Sequence, residues 1–507
     1  MLPPPPPPVA EPAPLPFAAV AGAAVGRWRL LFGALLLAHV AATWLLFGAS
    51  PIGASWREAD TQAIARNLAA DGFDLLHPRI DWRGATTGEV ECEFPLYQGL
   101  VAAMLLVVGD AEWPGRLLSL LATAVAAWAL FELLLRRCGG PAAWLGALAF
   151  LGSAQVAFLG TRVMPDMLSL ALSLVGLLAA TAWLANGSAR LLAAAAVATL
   201  LGALAKPTMA QVLGVQAAWT ALFAPQRLRR AAPWCAAAIV IAAVAAWTLH
   251  ARRMGLATGL TFGVTFGDTK LPDLEHLLRP SVWRRLVAST LDYGASWCGV
   301  LGGVALLLQR RFDRLDAALL GVVAAGLVGT LRYSHDSQLG PQYHAFSAVA
   351  GAWLVARAWS PRWGTAAFGG ASAALLALAV VHGQREFAVR AAFATSAHLA
   401  TAAALQRVAA DGDLVAIRGP KPAFDEFWRR RNNYEEPVLL YLSRRRGFVL
   451  PADGADASGL AAVAAAGARW YVDPAPGGTT LDGVAWLTAH AELVAVVDGA
   501  SIHALRR

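Results

Sequence analysis

Charge is scarce in this chain and lysine nearly absent. Charged residues make up 15% of 507, too few to solvate a soluble protein of that length. Lysine occurs only as Lys206, Lys270 and Lys421, so arginine carries nearly all of the positive side of a formal +8. A lysine at a membrane edge is therefore notable. The cysteines, Cys92, Cys138, Cys235 and Cys298, are scattered without metal-ligand spacing, which argues against a cysteine metal site and a disulfide framework. The C-terminal region carries neither a glycine-rich phosphate fingerprint nor a nucleophile elbow.

What the chain does have is apolar sequence, 57% hydrophobic with a mean hydropathy of +0.53. That composition predicts a polytopic α-helical membrane protein. The arginines cluster in short loops between apolar runs, a mark of topology, and no nucleic-acid partner is expected. A membrane crossing takes roughly 17 to 25 apolar residues. Candidates lie near 29–48, 115–135, 142–160, 166–185, 190–205, 207–224, 232–250, 292–309, 316–332, 342–358 and 363–383, which makes 11 transmembrane helices. Residues 1–26 open with MLPPPPPPVAEPAPLP, a proline-rich tract read as a disordered cytoplasmic tail.

The run 94–108 is apolar but short. If it spanned, Arg136/Arg137, Arg190, Arg227/Arg229/Arg230, Arg310/Arg311/Arg314 and Arg357/Arg362 would all face outward; lying flat on the membrane, it leaves them cytoplasmic. The flat arrangement is expected, in a bacterial inner (plasma) membrane with the N-terminus cytoplasmic. Glu58, Asp60, Glu91, Glu93, Arg162, Asp166, Lys206, His335, Tyr343 and His344 then share the periplasmic side, which predicts one extracytoplasmic site built from a juxtamembrane first loop and several helix ends. Residues 27–384 form the membrane domain on this reading. Residues 385–507 alternate strand-like and helix-like runs (413–417, 435–446, 456–467, 469–472, 492–497, 501–505) and are expected to form a small periplasmic α/β domain.

No nucleotide sugars are supplied outside the inner membrane, so glycosyl transfer there draws on a lipid-linked donor. A phosphate leaving group needs a cation to hold it, and an attacking hydroxyl needs a carboxylate base. Asp60, about ten residues past the first span, is the candidate base. Glu58, two positions earlier, would point to another helix face. Glu91 and Glu93 precede the flat helix, where capping competes with a substrate role. Arg162 and Asp166 either pair with each other or serve substrate. Arg116 is placed to hold a lipid phosphate, and Lys206, in Ala205-Lys206-Pro207, either snorkels or does the same. His335, Tyr343 and His344 are read as hydrogen-bonding sugar or phosphate. The nine-residue spacing of the two histidines is no recognised ligand pattern, so no metal or other cofactor is predicted.

WREADTQAIARN at 56–67, ECEFPLY at 91–97, Arg116, RVMPD at 162–166, AKP at 205–207 and HDSQLGPQYH at 335–344 occur in that order. Over residues 25–385 the chain thereby resembles glycosyltransferase family 39, which includes protein O-mannosyltransferases and the bacterial aminoarabinose transferases of lipid A. The resemblance implies a GT-C fold, a polyprenyl-phosphate-linked sugar as donor, inversion at the anomeric carbon, and catalytic roles for Asp60, Glu93 and Asp166. It departs from the mannosyltransferases in having Glu-Ala-Asp for their Asp-Glu pair and no MIR-type domain. The expected acceptor is a glycolipid, polysaccharide or protein. A secondary transporter or lipid flippase, and a polymerase or ligase using a diphosphate-linked donor, are the alternatives.

Overall fold

A computed structural model describes residues 23–52, 55–263, 274–329, 341–425, 430–431, 434–475 and 477–506. Its first helices are α1 (Ala23–Phe47), α2 (Trp56–Ala70), α3 (Leu96–Val108), α4 (Trp113–Cys138), α5 (Gly140–Leu151), α6 (Ala154–Gly160), α7 (Asp166–Asn186), α8 (Ala189–Ala205), α9 (Gln211–Phe223) and α10 (Ala231–Thr258). After them come α11 (Leu274–Leu278), α12 (Pro280–Asp292), α13 (Ser296–Leu308), α14 (Arg314–Gly329), α15 (Ala345–Ala358), α16 (Gly364–Ala394) and α17 (Ala397–Val408). A helix lies at each of the apolar runs read from the sequence. By length and composition alone, five are able to cross a membrane, or up to seven if the bent pairs α5–α6 (61°) and α12–α13 (94°) each count once. The central core joins α1, α4, α5, α7, α9, α14 and α15 through residues such as Phe32, Phe131, Phe150, Trp219 and Trp353.

Two short helices stand apart from that pattern. α2 is polar yet largely buried. α3 has 13 residues, about 20 Å at 1.5 Å per residue, against a hydrocarbon thickness of about 30 Å. Its length suits an interfacial position better than a crossing.

The arginine-rich turns gather at one end of the bundle. Arg357 pairs with Asp313 at 3.1 Å and Asp316 at 3.0 Å, and Arg137 also reaches Asp313. Arg311 donates to the Trp359 carbonyl, Arg227 to the Leu184 carbonyl, and Arg29 to Glu132. The ends of α4, α7, α9, α13 and α15 and the start of α1 are thereby held on one side.

Beyond α17 lie β1 (Leu414–Arg418), β2 (Phe424–Asp425), β3 (Arg430–Arg431), α18 (Val438–Ser443), β4 (Arg446–Leu450), α19 (Ala457–Ala465), β5 (Ala468–Asp473), α20 (Leu481–His490), β6 (Ala491–Val497) and β7 (Ala500–Leu505). Five strands form one sheet in the order β4-β1-β5-β7-β6, parallel across β4, β1 and β5 and antiparallel across β5, β7 and β6. β1 reads Leu-Val-Ala-Ile-Arg and is buried over its last four residues, as a central parallel strand should be.

This α/β unit docks on α2 and the loop that follows it. The Gly447 carbonyl accepts from Gly84 N–H at 2.7 Å, and Gly447 N–H donates to the Asp81 carbonyl at 3.0 Å. A side chain at Gly447 would run into the Val415 backbone, so glycine is required where β4 meets both β1 and the loop. Arg66 lies 4.7 Å from the Tyr441 ring centre, and the Tyr441 hydroxyl donates to Glu112 at 3.2 Å.

Candidate active site

The site is organised by the two faces of α2. Ser55 caps the helix by accepting from Arg57 N–H at 3.2 Å. Arg57 and Asp60, three residues apart, share one face, while Glu58 and Gln62, four apart, share another. Glu58 and Asp60 therefore diverge, as their spacing predicts.

On the first face, the Trp82 indole N–H donates to Asp60 Oδ1 at 2.9 Å. Arg57 Nη2 reaches both oxygens of Glu93, at 2.6 and 2.7 Å, and its guanidinium lies 4.8 Å from the Phe262 ring centre. Lys206 Nζ is 2.6 Å from Asp166 Oδ1 and 6.0 Å from the Tyr343 ring centre. The fields of Asp60, Glu93 and Asp166 all act on Arg57, and that of Lys206 on Glu93. Seven segments thus bring eight side chains together. Prolines do much of the placing: Pro207 forces Lys206 into an extended backbone that ends α8, Pro165 precedes Asp166 at the start of α7, and Pro95 precedes α3 just after Glu93.

The two carboxyls nearest Arg57 are driven in opposite directions. Burial pushes Asp60 well above the ordinary carboxylate range, which the Trp82 hydrogen bond and Arg57 offset only in part. Burial also raises Glu93, but the charges of Arg57 and Lys206 outweigh it and hold the group at about 2. Glu93 is a permanent counter-ion, whereas the raised Asp60 is the carboxyl of the two suited to taking a proton.

The second face of α2 is a closed ionic cage. Glu58 is fully buried, with Oε1 accepting from Val163 N–H at 3.1 Å and from Arg390 at 3.2 Å, and Oε2 from Arg162 at 3.3 Å. Burial raises this carboxyl, yet Arg390, Arg162 and Arg116 together hold it below its ordinary range. Arg162 also donates to Glu386 at 3.2 Å. Of the two readings for Arg162 and Asp166, the mutual pair does not form, because the turn between them sends the arginine to Glu58 and Glu386 and leaves the aspartate, at the start of α7, to Lys206. Arg116 is buried beside the cage, its Nη1 3.4 Å from the Gly48 carbonyl and its Nε and Nη2 without a partner among the described residues.

Glu91 is buried and accepts from the Thr261 hydroxyl, while its backbone pairs with Leu260 and Phe262. It pins the first loop to the segment after α10 and so sets Phe262 against Arg57. His344 is buried too, with Nδ1 3.4 Å from the Ser347 hydroxyl and Nε2 unpartnered among the described residues. His335 lies outside the described residues. Among those described, no group of three His, Cys, Asp or Glu side chains is placed to hold a metal. Arg57, Trp82, Phe262, Glu386 and Arg390 were not foreseen from the sequence. Arg57 alone left a signal there, three residues before Asp60.

Residues 93–250 match the family model described as dolichyl-phosphate-mannose-protein mannosyltransferase. The segment contains Glu93, Arg116, Arg162, Asp166 and Lys206. Among solved structures, ArnT from Cupriavidus metallidurans bound to undecaprenyl phosphate is similar over 95% of this chain and 98% of its own, at 15% identity and a TM-score of 0.61. Its apo form matches over the same shares at 13% identity and 0.62. The arabinofuranosyltransferase AftD from Mycobacteria covers 93% of this chain and 40% of its own, at 17% identity and 0.54. No curated protein matches the chain by sequence. The family segment and the whole-chain fold agree: the chain carries a glycosyltransferase family segment within a helical fold shared with ArnT and AftD. The resemblance to glycosyltransferase family 39 holds, and the transporter or flippase alternative is set aside.

Proposed function

We propose that the protein transfers a sugar from a polyprenyl-phosphate donor to an extracytoplasmic glycolipid, polysaccharide or protein, with inversion, at the inner membrane. The observation that carries this reading is the meeting of Asp60, Arg57, Glu93, Asp166, Lys206 and Tyr343 at one end of the bundle. The relative solved with undecaprenyl phosphate bound supports the donor class.

Each residue has a distinct task. Trp82 fixes Asp60 Oδ1, and Oδ2 removes the proton from the acceptor hydroxyl. The hydroxyl oxygen attacks the anomeric carbon opposite the phosphate, whose C–O bond breaks with its electron pair leaving on the phosphate oxygen. Arg57 spends only Nη2 on Glu93 among the described residues, which leaves other donors for that oxyanion. Lys206 meets Asp166 through one contact, and an ammonium has three donors. Glu93 and Asp166 hold the two cations in place between turnovers. Glu58, Arg162 and Glu91 act by fixing α2 and the first loop.

The test is transfer by purified protein, with a polyprenyl-monophosphate sugar and its diphosphate-linked counterpart offered separately. Transfer from the monophosphate and a loss of about 10²- to 10⁴-fold in Asp60→Asn are expected. Undiminished transfer by that variant sinks the assignment of the base, and use of the diphosphate donor alone moves the protein to the polymerase and ligase reading.

A further inference from the structure

The C-terminal α/β unit looks like a lid, yet it brings a carboxyl of its own to the catalytic face of α2. Glu436 sits two residues before α18, the helix whose Tyr441 receives Arg66 and reaches Glu112. The same docking is fastened by the Gly447 bonds to Gly84 and Asp81 and by Arg446 on Asn67 at 3.3 Å. With the unit held at several points, the position of Glu436 is fixed relative to α2. Its carboxylate accepts from Val438 N–H at the start of α18, while Oε1 is buried and has no hydrogen-bond partner among the described residues. A buried carboxyl oxygen left unpaired is destabilising, and its persistence calls for an explanation in use. Glu436 acts electrostatically on Asp60, and Lys421 acts on Glu436.

The site is therefore polar in a second sense, along its length. Arg57 and Lys206 make one end attractive to an anion. Burial raises both Asp60 and Glu436, the latter to about 7, so the other end offers carboxyl oxygens to hydrogen bonds where the first offers cations, which suits a ligand rich in hydroxyl donors. We propose that Glu436 is an acceptor-binding residue: the C-terminal unit completes the transfer site, with Oε1 of Glu436 receiving a hydroxyl of a polyol acceptor next to the hydroxyl that Asp60 deprotonates. The α/β unit thereby selects for a sugar-bearing acceptor with neighbouring hydroxyls. This rests on Asp60 being the base.

The experiment uses the full chain, polyprenyl-phosphate sugars extracted from the native membrane as donor, and the extracted envelope glycolipid and polysaccharide fraction as acceptor. Sugar transfer and release of free sugar from the donor are both followed by mass spectrometry. Glu436→Gln keeps an oxygen for Val438 N–H, and Glu436→Asp keeps the charge but draws it back, so both variants retain the local fold. Glu436→Gln is expected to raise the acceptor KM at least about tenfold while leaving the donor KM within about twofold, and Glu436→Asp to fall between it and wild type. An unchanged acceptor KM in both overturns the proposal while the reading of Asp60 stands. A wild type that transfers nothing, indistinguishable from Asp60→Asn, overturns that reading and this proposal together.

Discussion

At the scale of single residues, three buried carboxylates of the first loop differ in what they are paired with. Glu58 neutralises Arg162 and Arg390 where no water reaches. Removing one partner of a buried pair leaves an uncompensated charge, so Glu58→Gln should destabilise the protein by about 3–5 kcal/mol, read as a lowered melting temperature in detergent. A melting temperature like that of wild type would show the cage to be unimportant for the fold. Glu93 behaves differently with pH. Its folded pKa, about 2, lies below its ordinary 4.5, so its contribution is present above 4.5 and disappears as the pH falls through 2. A shift of that size corresponds to about 3 kcal/mol. Wild type should lose melting temperature steeply between pH 4.5 and 2, and Glu93→Gln, already lower at neutral pH, should lose less over that window. Asp60 has a raised pKa, so as a base it loses activity at a higher pH than an ordinary carboxylate: the acid limb of the transfer rate should lie well above pH 4.

At the scale of elements, much was legible in the sequence because its causes are local. Hydrophobic run length located the helices, short strand-like runs located β1, β5, β6 and β7, and the contrast between a polar α2 and a short apolar α3 marked the juxtamembrane loop. Pairing was less legible. Arg162 finds Glu386 across 224 positions and Glu58 finds Arg390 across 332, and no spacing rule reaches that far. β4 was not read from the sequence, where the helix-like run 435–446 meets only its first residue and 447–450 were left unassigned; the strand exists because the sheet and the first loop both bond to it. Helix contacts follow the same division. α13 and α15 approach so closely that a Cβ on Gly351 would fall 2.2 Å from the Ala295 carbonyl, whereas one on Gly321, in α14, meets nothing within 4 Å. Gly351→Ala should therefore destabilise by about 1–3 kcal/mol as the helices are forced apart, and Gly321→Ala should be neutral or gain up to about 1 kcal/mol of helix propensity. Equal melting temperatures for the two variants would contradict the packing described for α13 and α15.

At the scale of the whole molecule, the two ends of the bundle differ in chemistry, and that difference predicts orientation. One end gathers Arg29, Arg137, Arg227, Arg311 and Arg357, several of them paired across neighbouring helices. The other carries Asp60, Glu93, Asp166 and Lys206 under the docked α/β unit. Arginine-rich short loops are retained in the cytoplasm during insertion, which predicts the first end inside and the proposed transfer site outside. Exposed positions exist on each side: Thr87 in the first loop, Ser458 in the α/β unit, and Ala189 at the start of α8. With Cys92, Cys138, Cys235 and Cys298 replaced, single cysteines at Thr87 and Ser458 should react with a membrane-impermeant maleimide added to the periplasmic side of spheroplasts. One at Ala189 should react only after the membrane is opened. Labelling of Ala189→Cys from outside, with Thr87→Cys protected, would invert the bundle and place the site where nucleotide sugars are supplied, removing the reason for a polyprenyl-phosphate donor. Opposite results at Thr87 and Ser458 would separate the α/β unit from α2 and remove the acceptor role of Glu436 with it.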